Sequence, residues 1–106
     1  MSKTNSRRNV RVFCGAPARA DGPRGPIRGT CRNLSMGGMF FSGPTLPLGK
    51  SMDFFIELPN IGAVAAVGEV RYVFQYPDGS GVGVRFTRIA TEDLNRLGEY
   101  VLAAAA

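Results

Sequence analysis

Apolar and polar residues alternate along most of this 106-residue chain, and the period is that of a β-strand. The clearest run is Met52 to Leu58. Met52, Phe54, Ile56 and Leu58 fall on one face, and Asp53, Phe55 and Glu57 on the other. Pro59-Asn60 ends it. A longer run follows from about Ala63 to Gln75, with Val64, Ala66, Val70, Tyr72 and Phe74 assigned to one face and Glu69, Arg71 and Gln75 opposite. Pro77-Asp78-Gly79-Ser80 has the composition of a hairpin turn. Val82, Val84 and Phe86 then alternate with Gly83, Arg85 and Thr87.

The N-terminal half is punctuated more heavily. A first strand is expected from Val10 through Phe13. Residues 15–26 hold three prolines and three glycines and read as loop, with the option that part of the stretch extends the strand. Ile27 to Arg32 reads as a second strand. Gly37-Gly38 is a turn signal, Met39-Phe40-Phe41 begins a third strand, and residues 43–50 are a connector. The period changes after Thr91. Thr91 is an expected N-cap, Glu92 and Asp93 suit the first turn, and Leu94, Leu97 and Val101 recur at helical spacing. One C-terminal helix is expected from about 92 to 103. The whole predicts a mainly β domain of short antiparallel strands closed by one helix, and closure into a barrel would remove exposed strand edges.

Composition narrows the class. One domain accounts for the length. No stretch approaches the roughly eighteen continuous apolar residues of a membrane helix. The opening Met-Ser-Lys-Thr-Asn-Ser-Arg-Arg is followed by no hydrophobic signal core, so a cytoplasmic location is expected, without membrane insertion. Cys14 and Cys31 are the two cysteines, read as free thiols packed as small hydrophobes, with a disulfide between neighbouring strands as the alternative. There is no histidine and no cysteine cluster, so neither a metal site nor a bound cofactor is expected.

Charge is unevenly placed. Residues 1–32 carry eight basic groups against Asp21 alone, a net +7, and residues 33–106 carry five basic and seven acidic groups, a net −2. Seven of the eight N-terminal cations are arginine. Its planar fork suits bidentate recognition of phosphate and of guanine edges. Residues 1–8 have no apolar period and read as a flexible basic arm on a domain of residues 9–106. By itself such an arm is equally a solubilising tail.

Two short motifs sharpen this. Arg7-Arg8-Asn9-Val10-Arg11 has the form RxxxR, and Asn33-Leu34-Ser35-Met36-Gly37-Gly38 has the form [D/N]xSxxG. In this order and spacing, with a β-rich remainder, they resemble the signatures of the PilZ domain, a bacterial receptor module for cyclic di-GMP. Gly68 to Val73 and Gly83 to Phe86 look like that family's closing strands, and Thr91 to Tyr100 like its terminal helix. The resemblance implies a six-stranded antiparallel β-barrel with one C-terminal α-helix and a flexible N-terminal arm. The ligand would lie on the barrel's outer surface under that arm. It assigns ligand binding to Arg7, Arg11, Asn33, Ser35 and Gly38, with Arg8 and Gly37 as further candidates.

The chemistry fits each residue type. Arginine can clamp guanine O6 and N7 together, bridge phosphate oxygens or stack on a base. Asn33 presents an oxygen that could accept from the guanine donor edge, where the family more often has aspartate. Ser35 offers a short hydroxyl, and Gly37 and Gly38 would let the backbone approach a flat ligand. Taken alone, the second motif reads as an Asx or Ser turn between strands; its pairing with the arginines at this offset turns the reading to ligand binding. Tyr72 stands where family members often carry an aromatic, and reads as a core or barrel-surface residue. Arg85 is a weaker candidate. Phe13, Phe40, Phe41, Phe54, Phe55, Phe74 and Phe86 read as mostly core.

Three functions compete. A cyclic di-GMP receptor would order its arm on binding and so signal to an unidentified protein partner, with motility or biofilm regulation as the expected setting. An adaptor of the same fold would bind protein and no nucleotide. A nucleic-acid-binding barrel suits the basic arm, but the strands lack basic residues interleaved with exposed aromatics. An enzyme is disfavoured, because no nucleophile has a base beside it. A homodimer stays open.

Overall fold

The computed structural model describes residues 10–77 and 79–105. Six antiparallel strands close into a barrel in the order β1-β2-β3-β6-β5-β4. They are β1 (Val12–Gly22), β2 (Gly25–Ser35), β3 (Gly38–Ser42), β4 (Ser51–Leu58), β5 (Gly62–Tyr76) and β6 (Gly79–Arg88), followed by helix α1 (Thr91–Ala105). The first three strands meander. The chain then crosses to the far side of β1, adds β4 and β5, and closes by inserting β6 between β5 and β3. No helix among the described residues is long and apolar enough to cross a membrane.

The alternation read in the sequence packs the interior. Met52, Phe54, Ile56 and Leu58 all point inward, and Phe54 meets Phe41 edge-on with ring centroids 6.0 Å apart. Leu46 is buried from the 43–50 connector. That connector is tied down where Gly49 N donates to Val70 O at 2.8 Å and Val70 N donates to Lys50 O at 2.9 Å. Leu97 and Val101 of α1 join the same core.

The proline- and glycine-rich stretch 15–26 is mostly strand, not loop. β1 and β2 form a long hairpin whose last pair is Gly22↔Gly25. Ala16, Ala18 and Ala20 supply its buried face, a pattern hidden by their small size. Pro17 precedes the first β4 pairing at Ala18, and Pro26 precedes the first β3 pairing at Thr30, so each is paired on one side only. That is where a missing ladder donor is tolerated.

β5 does not keep one face throughout. Its register with β6 shifts between Val70 and Tyr72. A bulge re-aims the strand beyond it, so Val73 packs on the core while Tyr72, Phe74 and Tyr76 point outward. Phe40 joins them from β3, with centroids 6.1 Å from Phe74 and 6.4 Å from Tyr76. Phe40 and Phe74 are therefore surface aromatics, and Phe13 is 90% exposed.

α1 is longer than expected, and Thr91 is not its cap. Leu94 N donates to Ala90 O at 2.8 Å, which makes Ala90 the capping position and Thr91 the first helical residue. Asp93 anchors the helix to the barrel. Its Oδ1 accepts from Ala65 N at 3.1 Å and from Arg96 Nη2 at 2.7 Å.

Candidate functional site

The second motif forms the β2–β3 turn. Ser35 and Gly38 are the closing pair, with Met36 and Gly37 between them. Ser35 is 3% exposed. Its hydroxyl accepts from Gly37 N at 3.2 Å and donates to Gly38 O at 3.4 Å. The serine thus builds the turn that presents the glycines, which is the Ser-turn role the motif has as plain structure.

The two glycines differ. Gly38 pairs with Arg85 of β6, and a Cβ there would collide with the Val84 carbonyl. Strand packing by itself requires the lack of a side chain at Gly38, so glycine there has a structural reason beside the expected one of ligand approach. Among the described residues, nothing lies within 4 Å of the place a Gly37 Cβ would take. Packing therefore leaves Gly37 unexplained, and the space above it is open.

Arg11 is the arginine of the first motif that the structure describes; Arg7 and Arg8, with the rest of the expected arm, lie outside the described residues. Arg11 Nη1 donates to Asn33 Oδ1 at 2.6 Å. The oxygen expected to meet guanine holds the Arg11 guanidinium in this structure. The bond fixes the guanidinium against β2 and leaves its other N–H groups free to turn outward.

A surface cleft of about 310 Å³ joins Arg11 to Ser35, Gly37 and Gly38. Its far side comes from β5 and β6, through Arg71, Tyr72 and Arg85. Three arginines thus meet in one concave patch. Arg71 has Glu69 as a loose partner, 3.6 Å away on the surface, a contact of small energy. Tyr72 is 46% exposed. Its ring occupies the space a side chain at Gly83 would need, so it is held against β6 while one part stays open to solvent.

Arg71 was not among the residues expected from sequence, and Arg85 was only a weak candidate. Both were legible as outward-facing, but their neighbourhood was not. The strand order β3-β6-β5 brings residues more than thirty positions downstream beside the Asn33–Gly38 turn. A larger cleft of about 540 Å³ lies elsewhere, lined by Cys14, Glu57, Pro59 and Tyr100 among others, and shares no residue with the first. Among the described residues its lining holds no arginine, so the smaller, cationic cleft is the better match for an anion.

A closed six-stranded barrel with its signature turn on the outer wall defines the class, and comparison with known proteins gives the same answer. The PilZ domain model matches residues 5–103, and the chain belongs to the PilZ domain family. It superposes on the Bacillus subtilis inhibitor of motility MotI/DgrA with a TM-score of 0.78 at 24% identity, covering 95% of this chain and 52% of that one. The PilZ domain of Escherichia coli YcgR with c-di-GMP gives 0.77 at 14% identity, covering 94% and 92%. The K. pneumonia MrkH–c-di-GMP complex gives 0.76 at 15%, covering 94% and 52%. This chain spans about half the length of the MotI/DgrA and MrkH chains. At these identities the likeness is one of fold. A search of curated proteins finds no match.

Proposed function

We propose that this chain is a receptor for cyclic di-GMP, acting by binding and not by catalysis. The observation that carries the reading is the cleft in which Arg11, Arg71 and Arg85 surround the open backbone at Gly37. Two phosphates and two guanine acceptor edges need several forked cations in one place, and a planar base needs a surface free of side chains. The YcgR and MrkH structures that share the fold contain c-di-GMP, which supports the same ligand here. No cofactor or metal is needed.

Arg7 and Arg8 complete the site from the arm. Four residues span at most about 14 Å when extended, so Arg7 can reach across a ligand lying beside Arg11. Asn33 acts through its bond to Arg11: it orients the guanidinium so that the remaining donors face the cleft. Tyr72 walls the opposite side, and the turn built by Ser35 sets the floor. Ligand would draw the arm onto the barrel, and the new surface would be read by a protein partner in the cytoplasm. Regulation of motility or biofilm is the setting this suggests.

The test is a pair of variants, Arg7→Ala and Arg11→Ala, in a binding titration. Each is expected to weaken cyclic di-GMP binding at least tenfold with the fold intact. Unchanged affinity in both would remove the ligand from this cleft. A second reading, a protein adaptor that binds no nucleotide, is favoured by one observation: Asn33 Oδ1 and Ser35 Oγ already have partners within the chain. No heat from any nucleotide with the unaltered protein would select it.

A further inference from the structure

Cys14 and Cys31 lie on adjacent strands, and the irregularity of β1 brings them together. The β1–β2 register shifts between Phe13 and Ala16, so Cys14 and Gly15 together face the stretch of β2 between Cys31 and Asn33. Such a bulge re-aims a side chain. Here it sets the Cys14 sulfur 3.2 Å from the Cys31 sulfur and 3.0 Å from the Cys31 carbonyl oxygen. Both thiols are free. Their exposures differ: Cys31 is fully buried, whereas Cys14 is partly exposed and lines the surface cleft of about 540 Å³ with Glu57 and Tyr100. One sulfur is thus open to a small reagent and the other waits behind it.

We propose that Cys14 and Cys31 form a redox-active dithiol, in which Cys14 reacts with a peroxide and Cys31 resolves the product as an intramolecular disulfide. Cys14, as its thiolate, attacks one oxygen of hydrogen peroxide. The O–O bond breaks, the sulfur loses two electrons to become a sulfenic acid, and the departing hydroxide takes up the thiol proton as water. The Cys31 sulfur then attacks the Cys14 sulfur. The S–O bond breaks, and the hydroxide leaves as a second water with the Cys31 proton. Two thiols and one peroxide become one disulfide and two waters.

The electrostatics suit this division of labour. A hydrogen bond from Cys31 to the Cys14 thiolate brings the Cys14 pKa down to about 7, against burial, with a lesser contribution from the Ala16 backbone. The same bond, burial and the Cys14 charge push Cys31 up. The Tyr100 hydroxyl is pushed up as well, first by burial and then by the Cys14 charge, so it remains a neutral group beside the thiolate. Glu57 is the carboxylate lining the cleft. A low-pKa, accessible thiol with a resolving partner is the arrangement that oxidises selectively. The disulfide would cross-link β1 to β2 three residues after Arg11 and two before Asn33, at the root of the arm.

The experiment treats the purified full chain with equimolar hydrogen peroxide and follows free thiols and intact mass, without ligand. The expected result is joint loss of both thiols, a monomeric product lighter by about 2 Da, and full recovery with dithiothreitol. Cys31→Ala is expected to stop at a sulfenic acid on residue 14 that dimedone traps, and Cys14→Ser to react at least tenfold more slowly. Oxygen addition to the unaltered protein without thiol pairing, or disulfides only between chains, would overturn the proposal. The measurement on the unaltered chain decides it even if Cys31→Ala does not fold.

Discussion

Alanine at Gly38 and alanine at Gly37 are the same chemical change at neighbouring positions, and the structure assigns them opposite consequences. At Gly38 the new methyl would fall on the Val84 carbonyl oxygen, within the β3–β6 pairing that closes the barrel. Neither strand can move alone, because β6 is also paired to β5 and β3 to β2. The cost of forcing an extra carbon into packed backbone is about 2–3 kcal/mol. For a domain of this size each kcal/mol shifts Tm by roughly 4–8 °C, so Gly38→Ala is expected to melt about 10–20 °C below the unaltered chain. At Gly37 nothing among the described residues lies within 4 Å and the backbone is not left-handed. Alanine there narrows the unfolded ensemble and is expected to leave Tm unchanged or raise it by a few degrees. Its effect falls on the ligand instead. If a base lies against that backbone, the methyl lifts it, and a loss of about 1.4 kcal/mol is a tenfold weaker Kd. Thermal melts of the three proteins, followed by nucleotide titration of the unaltered chain and Gly37→Ala, read both effects. A Gly38→Ala chain that melts with the unaltered protein, or a Gly37→Ala chain destabilised as strongly as Gly38→Ala, would refute the reasoning.

Other expectations follow from the same contacts. Arg11→Ala removes one exposed hydrogen bond and is expected to shift Tm by no more than about 3 °C, so its loss of ligand affinity can be read without a folding correction. Asp93→Ala unfastens α1 from Ala65 and strips Arg96, whose Nε is buried and unpartnered, of its carboxylate; a loss of about 2 kcal/mol is expected by urea unfolding. Alkylation of Cys14 by iodoacetamide is expected to reach half its maximal rate near pH 7, not near the ordinary 9.0. The Cys14 contribution to stability follows the same sign. The folded pKa is depressed, so the contribution is complete above 9.0 and is lost as pH falls through about 7. Above 9.0 the raised Cys31 works in the opposite sense, so thiol-linked stability measured by urea unfolding should peak near pH 9 in the reduced protein.

The fold was legible wherever side-chain size carried the pattern. β4 shows its buried face as Met52, Phe54, Ile56 and Leu58, and the structure keeps that face whole. β1 hides its face because Ala16, Ala18 and Ala20 are small and sit among prolines, so the hairpin reads as loop. The bulge in β5 could not be read at all. It depends on register with β6, and it turns Phe74 from an expected core residue into a surface one. The candidate site divides in the same way. The contiguous turn Asn33 to Gly38 was visible as a motif, yet local sequence did not distinguish the glycine that packing requires from the one it leaves open. Arg71 and Arg85 join the cleft only through strand order. Cys14 and Cys31 were legible as candidates for neighbouring strands, but the close approach of their sulfurs needed the β1 bulge, which shifts register by one residue.

The central claim is met most directly by isothermal titration of the unaltered chain with cyclic di-GMP, with GTP and cyclic di-AMP as controls. The account predicts saturable binding of cyclic di-GMP at micromolar or lower concentration, and none of comparable strength for the controls. Absence of heat from cyclic di-GMP, together with an unchanged Tm in its presence, would contradict it.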